Sequence, residues 1–220
     1  MKTNIYFIHG WGFDFDFWKP VGEIIKEKKL FNSINYINLG FWGSEEKTFR
    51  INFDMKNVFV VHSYGLNWFL KNKIKCDVLI NFCSAPSFLE FQKNKEIKKK
   101  MIGKMIVDLK KKPEIVLKNF YRNCGIKINK LEFKKMHLQR FLNSLEDLKN
   151  DKLNDDFKKL SCKIFSIFSC EDKIFEPSIK KIKLLENKNH NIFILKKLNH
   201  AFPLNKPQEA SEMILRFIKR

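Results

Sequence analysis

The chain has 220 residues, 44% of them hydrophobic and 30% charged, and carries a formal net charge of +19. That is enough chain for one well-buried α/β domain. No apolar stretch approaches the ~18–20 residues of a membrane span, and no basic, apolar and small-residue succession opens the sequence, so a cytoplasmic protein without a signal peptide or membrane segment is expected.

In chain order, apolar runs rich in β-branched and aromatic residues alternate with helical patterns. Strands are predicted at Ile5–Ile8, Ile34–Asn38, Val58–Val61, Val78–Cys83, Ile164–Phe168 and Asn191–Leu195, and helices at Phe17–Lys28, Gly65–Lys73, Ser178–Glu186 and Pro207–Lys219. The last helix starts with proline at a first-turn position, where the missing N–H costs nothing. This alternation predicts a mostly parallel sheet flanked by helices. Between Ala85 and about Leu160 the strand signals vanish, and lysine-rich helical periods appear, broken by Gly103, Pro113 and Gly125. The expected organisation is a single domain: a core of residues 1–85 and 161–220 with a helical lid over about 86–160.

The first predicted strand runs into His9-Gly10-Trp11-Gly12. The glycines there let the backbone approach a substrate closely, and the Trp11 N–H is the candidate for one of two oxyanion donors. The third strand ends in Val61-His62-Ser63-Tyr64-Gly65, a strand-to-helix turn of the kind that holds a serine hydroxyl proud of a sheet edge. The amide of the residue after the serine, Tyr64, is the second donor candidate. Valine at position 61, where a glycine is usual, predicts a slightly relaxed turn or compensating small neighbours. A serine hydroxyl is a poor nucleophile and needs a base within reach. His200, after the last strand, is the candidate base. Asp172, in Cys170-Glu171-Asp172 after the fifth strand, is the candidate to orient it, with the adjacent Glu171 an open alternative. Serine, acid and histidine, each after a predicted strand, follow the chain order of an α/β-hydrolase triad. His9 and His62 are expected to shape the backbone rather than move protons, and His137 and His190 to be solvated or lid positions.

The five cysteines, at 76, 83, 124, 162 and 170, are odd in number and scattered mostly inside apolar runs. Buried free thiols in a reducing compartment are expected rather than disulfides. No Cys/His spacing suits zinc and no phosphate-cradling glycine run ends in Gly-Lys-Ser/Thr, so neither metal nor cofactor is expected. The 23 phenylalanines do not form a stacking surface for nucleic acid. Charge is unevenly spread. Residues 92–140 hold 16 Lys and Arg against 4 Asp and Glu, so +12 of the total +19 lies in this segment. An acidic partner there is the functional reading, and a solvated lysine-rich face the bland one.

With these residues in hand, the chain resembles the α/β-hydrolase superfamily. Within it, the chain looks most like the pimeloyl-[acyl-carrier protein] methyl ester esterases of biotin synthesis. The similarity rests on Ile8-His9-Gly10-Trp11-Gly12 with Trp18, on Leu39-Gly40-Phe41-Trp42-Gly43-Ser44, and on Ser84-Ala85-Pro86-Ser87-Phe88 at the start of the lid. It continues through Ser144-Leu145-Glu146-Asp147-Leu148 near the lid's end and the blocks Phe165 to Pro177 and His200 to Pro207. The resemblance implies a serine carboxylesterase with Ser63 as nucleophile, Asp172 as acid and His200 as base. It further implies that Trp11 and Tyr64 lie near the oxyanion and that Phe120 lines an acyl channel. The implied partner is an acyl carrier protein bearing a pimeloyl methyl ester, docked on Lys98, Lys99, Lys104, Lys110, Lys111, Lys118 and Arg122, with the enzyme a monomer. A general short-acyl esterase, or a catalytically silent hydrolase fold binding an acidic partner, remain the alternatives at this point.

Overall fold

The structure is a computed structural model and describes residues 2–44, 49–127 and 132–219. Among the described residues, six strands form one sheet: β1 (Thr3–Ile8), β2 (Ser33–Ile37), β3 (Lys56–His62), β4 (Val78–Phe82), β5 (Lys163–Ser169) and β6 (His190–Leu195). Their order across the sheet is β2-β1-β3-β4-β5-β6, and every neighbouring pair is parallel. β1 and β4 are buried along their whole length, and β3 and β5 at every position but the first. Strands covered on both faces are expected to read as continuous apolar runs rather than alternations. The edge strands β2 and β6 are only partly covered. All six predicted strands are present: β1, β5 and β6 are one or two residues longer than predicted and β3 three longer, β2 is shifted by one, and β4 is one shorter.

Helices α1 (Lys19–Glu27), α2 (Tyr64–Lys71), α7 (Ile179–Lys183), α8 (Phe202–Asn205) and α9 (Pro207–Ile218) flank the sheet. Pro20 falls in the first turn of α1, and residues 15–18 ahead of it form a 3-10 turn. That turn is capped by the Asp14 carboxylate, which accepts from the Asp16 amide at 3.0 Å. The helix expected over Ser178–Glu186 is shorter, because its last residues tighten into i→i−3 bonds, Leu184 to Lys181 and Leu185 to Ile182.

Between β4 and β5 lie α3 (Lys95–Lys111), α4 (Pro113–Cys124), α5 (Leu138–Asn150) and α6 (Asn154–Lys158). Of the three expected breaks, Pro113 starts α4, and Gly125 ends it in the left-handed conformation with φ 83°, the usual place for glycine. Gly103 is no break: α3 runs through it. One helical glycine costs about 1 kcal/mol relative to alanine, too little to interrupt a long packed helix. Ile102, Leu109, Leu117, Phe120, Phe141 and Leu145 from these helices join the same core as the sheet. Within the expected lid, residues 128–131 lie outside the described residues. Among the described residues, no helix is long and apolar enough to cross a membrane.

Candidate active site

β1 and β3 are neighbours, yet the chain leaves β1 toward β2 on one side and continues from β3 toward β6 on the other. In open parallel sheets, ligands bind beyond the carboxyl ends of the strands at such a reversal. Trp11 follows β1, Ser63 follows β3, Asp172 follows β5 and His200 follows β6, so the topology brings four distant segments to one rim.

Ser63 is the junction of β3 and α2, with φ 52° and ψ −122°. For a residue with a Cβ that conformation costs on the order of 1–3 kcal/mol and persists only where the surroundings impose it. Here the Ser63 amide donates to the Phe82 carbonyl of β4 at 3.0 Å, while its carbonyl accepts from the Leu66 amide at 3.0 Å. The turn is therefore sharp rather than relaxed, and its neighbours Gly10 and Gly65 are small. Val61 is still inside β3, paired with Ile8 and Asn81, and lies outside the crowded bend. The position that has no room is Gly65: a Cβ there would sit 2.8 Å from the His9 carbonyl oxygen. Gly10 is equally tight, since a Cβ on it would lie 2.9 Å from the Ser63 Cβ. The backbone leading into Trp11 thus lies against the serine. Tyr64 opens α2, so its amide has no intrahelical acceptor.

Ser63 Oγ lies 3.0 Å from His200 Nε2, and His200 Nδ1 lies 2.6 Å from Asp172 Oδ2. All three residues are buried, His200 completely. Because a carboxylate only accepts, the neutral ring carries its proton on Nδ1, which leaves Nε2 to accept from the serine hydroxyl. The other Asp172 oxygen accepts from the Ile174 and Phe175 amides, each at 2.8 Å, which fixes the carboxylate. Glu171 is exposed, and Asp172 is the acid bonded to His200.

Two further histidines hold the site. His62 Nε2 donates to the His200 carbonyl at 3.0 Å, and burial drives its pKa well below the ordinary histidine range. It is a neutral strut behind His200. His9 Nε2 accepts from the Leu39 amide at 2.9 Å, so its Nδ1 proton goes to the Gly10 carbonyl at 3.0 Å; burial lowers its pKa to about 4. The strut role of His62 had no specific sequence signal beyond its place beside Ser63. Ser169 was not singled out from the sequence. Its hydroxyl donates to the Leu198 carbonyl, joining the loop after β5 to the loop before His200. His190 is buried in β6 rather than solvated, with its ring bonded to the Leu185 carbonyl and Ser166 Oγ at 2.8 and 2.9 Å. His137 is exposed.

A narrow cavity of about 50 Å³ opens beside Ser63, walled by Trp11, Phe88, Ile102, Phe120, Leu145 and Leu148. Phe120 stands edge-on to Trp11 with ring centroids 4.6 Å apart, and the Trp11 indole donates to the Phe141 carbonyl at 3.0 Å. Trp11 and Phe120 thus share one wall of this cavity. Tyr64 directs its phenol away to α5.

The basic residues divide. Lys99, Lys104, Lys110, Lys111, Lys118 and Arg122 are exposed on α3 and α4, where Lys104 pairs with Asp108 at 2.9 Å and Lys118 with Glu114 at 2.6 Å. Lys98 is not on that surface. It is 5% exposed, and its ammonium donates to the Lys173 carbonyl at 2.6 Å and pairs with Glu176 at 2.8 Å. A helix carrying lysine at nearly every turn must bury one wherever its packed face meets a lysine, and the stem of this one lines the cavity beside Ser63. His62, Cys83 and His200 bring possible metal ligands within 4.8 Å of one another. Both nitrogens of His200 and one of His62 are already hydrogen-bonded, which leaves fewer than three ligands for an ion.

No family model matches the sequence, and no curated protein matches it significantly. Solved structures do resemble the fold. An esterase from Exiguobacterium antarcticum matches with a TM-score of 0.78 at 14% identity, over 99% of this chain and 92% of that one. A bromoperoxidase from Bacillus anthracis matches with a TM-score of 0.77 at 13% identity, over 100% and 93%. MenH from S. aureus matches with a TM-score of 0.71 at 15% identity, over 99% and 93%. Identity this low speaks to architecture alone, and the architecture is the α/β-hydrolase fold.

Proposed function

We propose that the chain is a serine carboxylic ester hydrolase in which Ser63 is the nucleophile, His200 the general base and Asp172 the residue that orients it. The observation that carries this reading is the continuous contact from Ser63 Oγ to His200 to Asp172, at 3.0 and 2.6 Å, with the serine held in a positive-φ turn. His200 takes the hydroxyl proton as Ser63 Oγ attacks the ester carbonyl. The Trp11 and Tyr64 amides receive the oxyanion, and the imidazolium returns the proton to the departing alkoxide. Water, deprotonated by the same histidine, then releases the acid from the acyl-enzyme. Ser63→Ala is expected to keep the fold and lower ester turnover by several orders of magnitude. A fluorophosphonate should label Ser63 in the native protein. Full activity in the alanine variant, or no labelling, removes this reading and leaves a silent scaffold.

The substrate we favour is the methyl ester of a pimeloyl group on acyl carrier protein, with methanol and the free acid as products. It is supported by the sequence resemblance, by the apolar walls of the cavity and by the exposed docking candidates Lys99, Lys104, Lys110, Lys111, Lys118 and Arg122 on α3 and α4. Lys98 is no longer among the docking candidates. Charge reversal at Lys110 and Lys111 should slow hydrolysis of the carrier-bound ester and leave a free methyl ester unaffected. Restored growth of a biotin auxotroph lacking this esterase tests the pathway directly. One observation favours the general short-acyl alternative: the cavity, at about 50 Å³, is far smaller than the few hundred Å³ of ordinary ligand pockets. For a pimeloyl chain to enter, α3 and α4 have to part from the core. A ranking of kcat/KM across acyl lengths that falls steadily beyond acetate would decide for the short-acyl enzyme.

A further inference from the structure

The thiols of Cys76 and Cys162 meet at the opposite end of the sheet from Ser63. Cys76 lies just ahead of β4 and Cys162 immediately ahead of β5. These are adjacent strands, with Val78 opposite Lys163. The Lys163 amide donates to the Asp77 carbonyl at 3.1 Å, and the Asp77 amide to the Asn57 carbonyl at 3.0 Å, so the backbone carrying both cysteines is pinned to the sheet. Each thiol shifts the other's pKa, as expected of two close side chains. Both line a cavity of about 450 Å³ that also carries Lys73, Lys75 and Lys159 against Asp156, with the Asp77 carboxylate close enough to act on both thiols.

We infer that Cys76 and Cys162 are a redox-active dithiol, which closes to an intrachain disulfide by exchange with a small anionic disulfide entering this lysine-rimmed cavity. Exchange needs no separate oxidant, because the small disulfide is the electron acceptor. One cysteine thiolate attacks a sulfur of the small disulfide and releases one thiolate, leaving a mixed disulfide. The second cysteine then attacks the protein-bound sulfur of that mixed disulfide and expels the other half. Each released thiolate takes up one of the two protons lost by the cysteines, so two protein thiols are oxidised as one disulfide is reduced. The contact between the two thiols lowers the pKa of one at the expense of the other, which supplies the thiolate the first step needs. The lysines favour an anionic carrier such as oxidised glutathione.

Closure would tie together the leading ends of the two strands between which α3 to α6 are inserted, and would leave the rim bearing Ser63 untouched. Its effect is therefore on stability rather than turnover, and it stands independently of any esterase reading. A cross-link spanning so long a loop removes much of the unfolded chain's freedom.

The test treats the folded, reduced protein with oxidised glutathione. Cys170, exposed beyond the other end of β5, reports ordinary surface reactivity. Peptide mapping is expected to show a Cys76–Cys162 cross-link, with both thiols lost together and the melting temperature raised on the order of 5–10 °C, all reversed by dithiothreitol. Cys76→Ser should stop at a glutathione adduct on Cys162, and activity should be unchanged throughout. If that variant does not fold, the peptide map of the unaltered protein decides alone. The inference fails if Cys170 is modified while Cys76 and Cys162 stay reduced, if a mixed disulfide persists on either, or if the cross-link joins other cysteines. Faster closure with the cationic disulfide cystamine than with oxidised glutathione would overturn the assigned role of the lysines.

Discussion

The Tyr64 hydroxyl donates to Asp147 Oδ2 at 2.6 Å, joining the helix that follows Ser63 to a helix of the insertion. The other oxygen of Asp147 accepts from Lys71 at 2.7 Å, and Lys71 also reaches Asp151 at 3.4 Å. Burial first, and then the Asp147 carboxylate, push the phenol's pKa well above its ordinary value, so it remains a donor across the working pH range. One residue therefore contributes its amide to the proposed oxyanion site and its side chain to the seam between α2 and α5.

Tyr64→Phe keeps the amide and removes the seam bond. The expected loss of stability is on the order of 1–2 kcal/mol, less than for an orphaned charge because Lys71 still pairs with Asp147. Chemical denaturation measures it. Ester hydrolysis should show a raised KM with kcat nearly unchanged, since the seam positions a wall of the cavity rather than the reacting groups.

Gly65→Ala introduces a Cβ at 2.8 Å from a backbone oxygen that has no freedom to retreat. The expected result is a destabilisation of about 1–3 kcal/mol, together with a fall in fluorophosphonate labelling of Ser63 as the turn is displaced. Val61→Gly should raise neither labelling nor turnover, because Val61 is strand rather than turn.

Asp172→Asn and Glu171→Gln separate the two acids. The first should leave a folded protein with kcat reduced about 10⁴-fold, the cost of offering His200 the wrong hydrogen-bond partner. The second should change kcat by less than about twofold, as expected for an exposed side chain outside the bonded chain.

Stability should fall as pH drops from the ordinary histidine range toward about 4. His9 and His190 both have folded pKa values lowered to about 4 from 6.5, chiefly by burial, and His62 is lowered as well. Across that window the unfolded chain binds protons that the folded chain refuses, so acid favours unfolding. Stability is full above the unfolded value and is lost as pH approaches the folded one. Urea midpoints at pH 7, 6 and 5 should decrease in that order, and His190→Gln should flatten the slope.

The strands were legible along the chain, since a parallel strand buried on both faces is written as an unbroken apolar run. The sequence also marked which serine and which histidine follow such runs, and hence that they arrive at one rim. It also placed Pro113 and Gly125 at the ends of α4, because their backbone preferences act locally. Folding was needed to set Asp172 rather than Glu171 against His200, turn Lys98 inward to the Lys173 carbonyl, make His62 a strut for His200 and bring Cys162 beside Cys76. Each of these depends on which strands are neighbours and on the room left once they pack. Such contacts join residues far apart in sequence and are fixed by close packing in the folded chain, so no periodicity or spacing along the polymer records them.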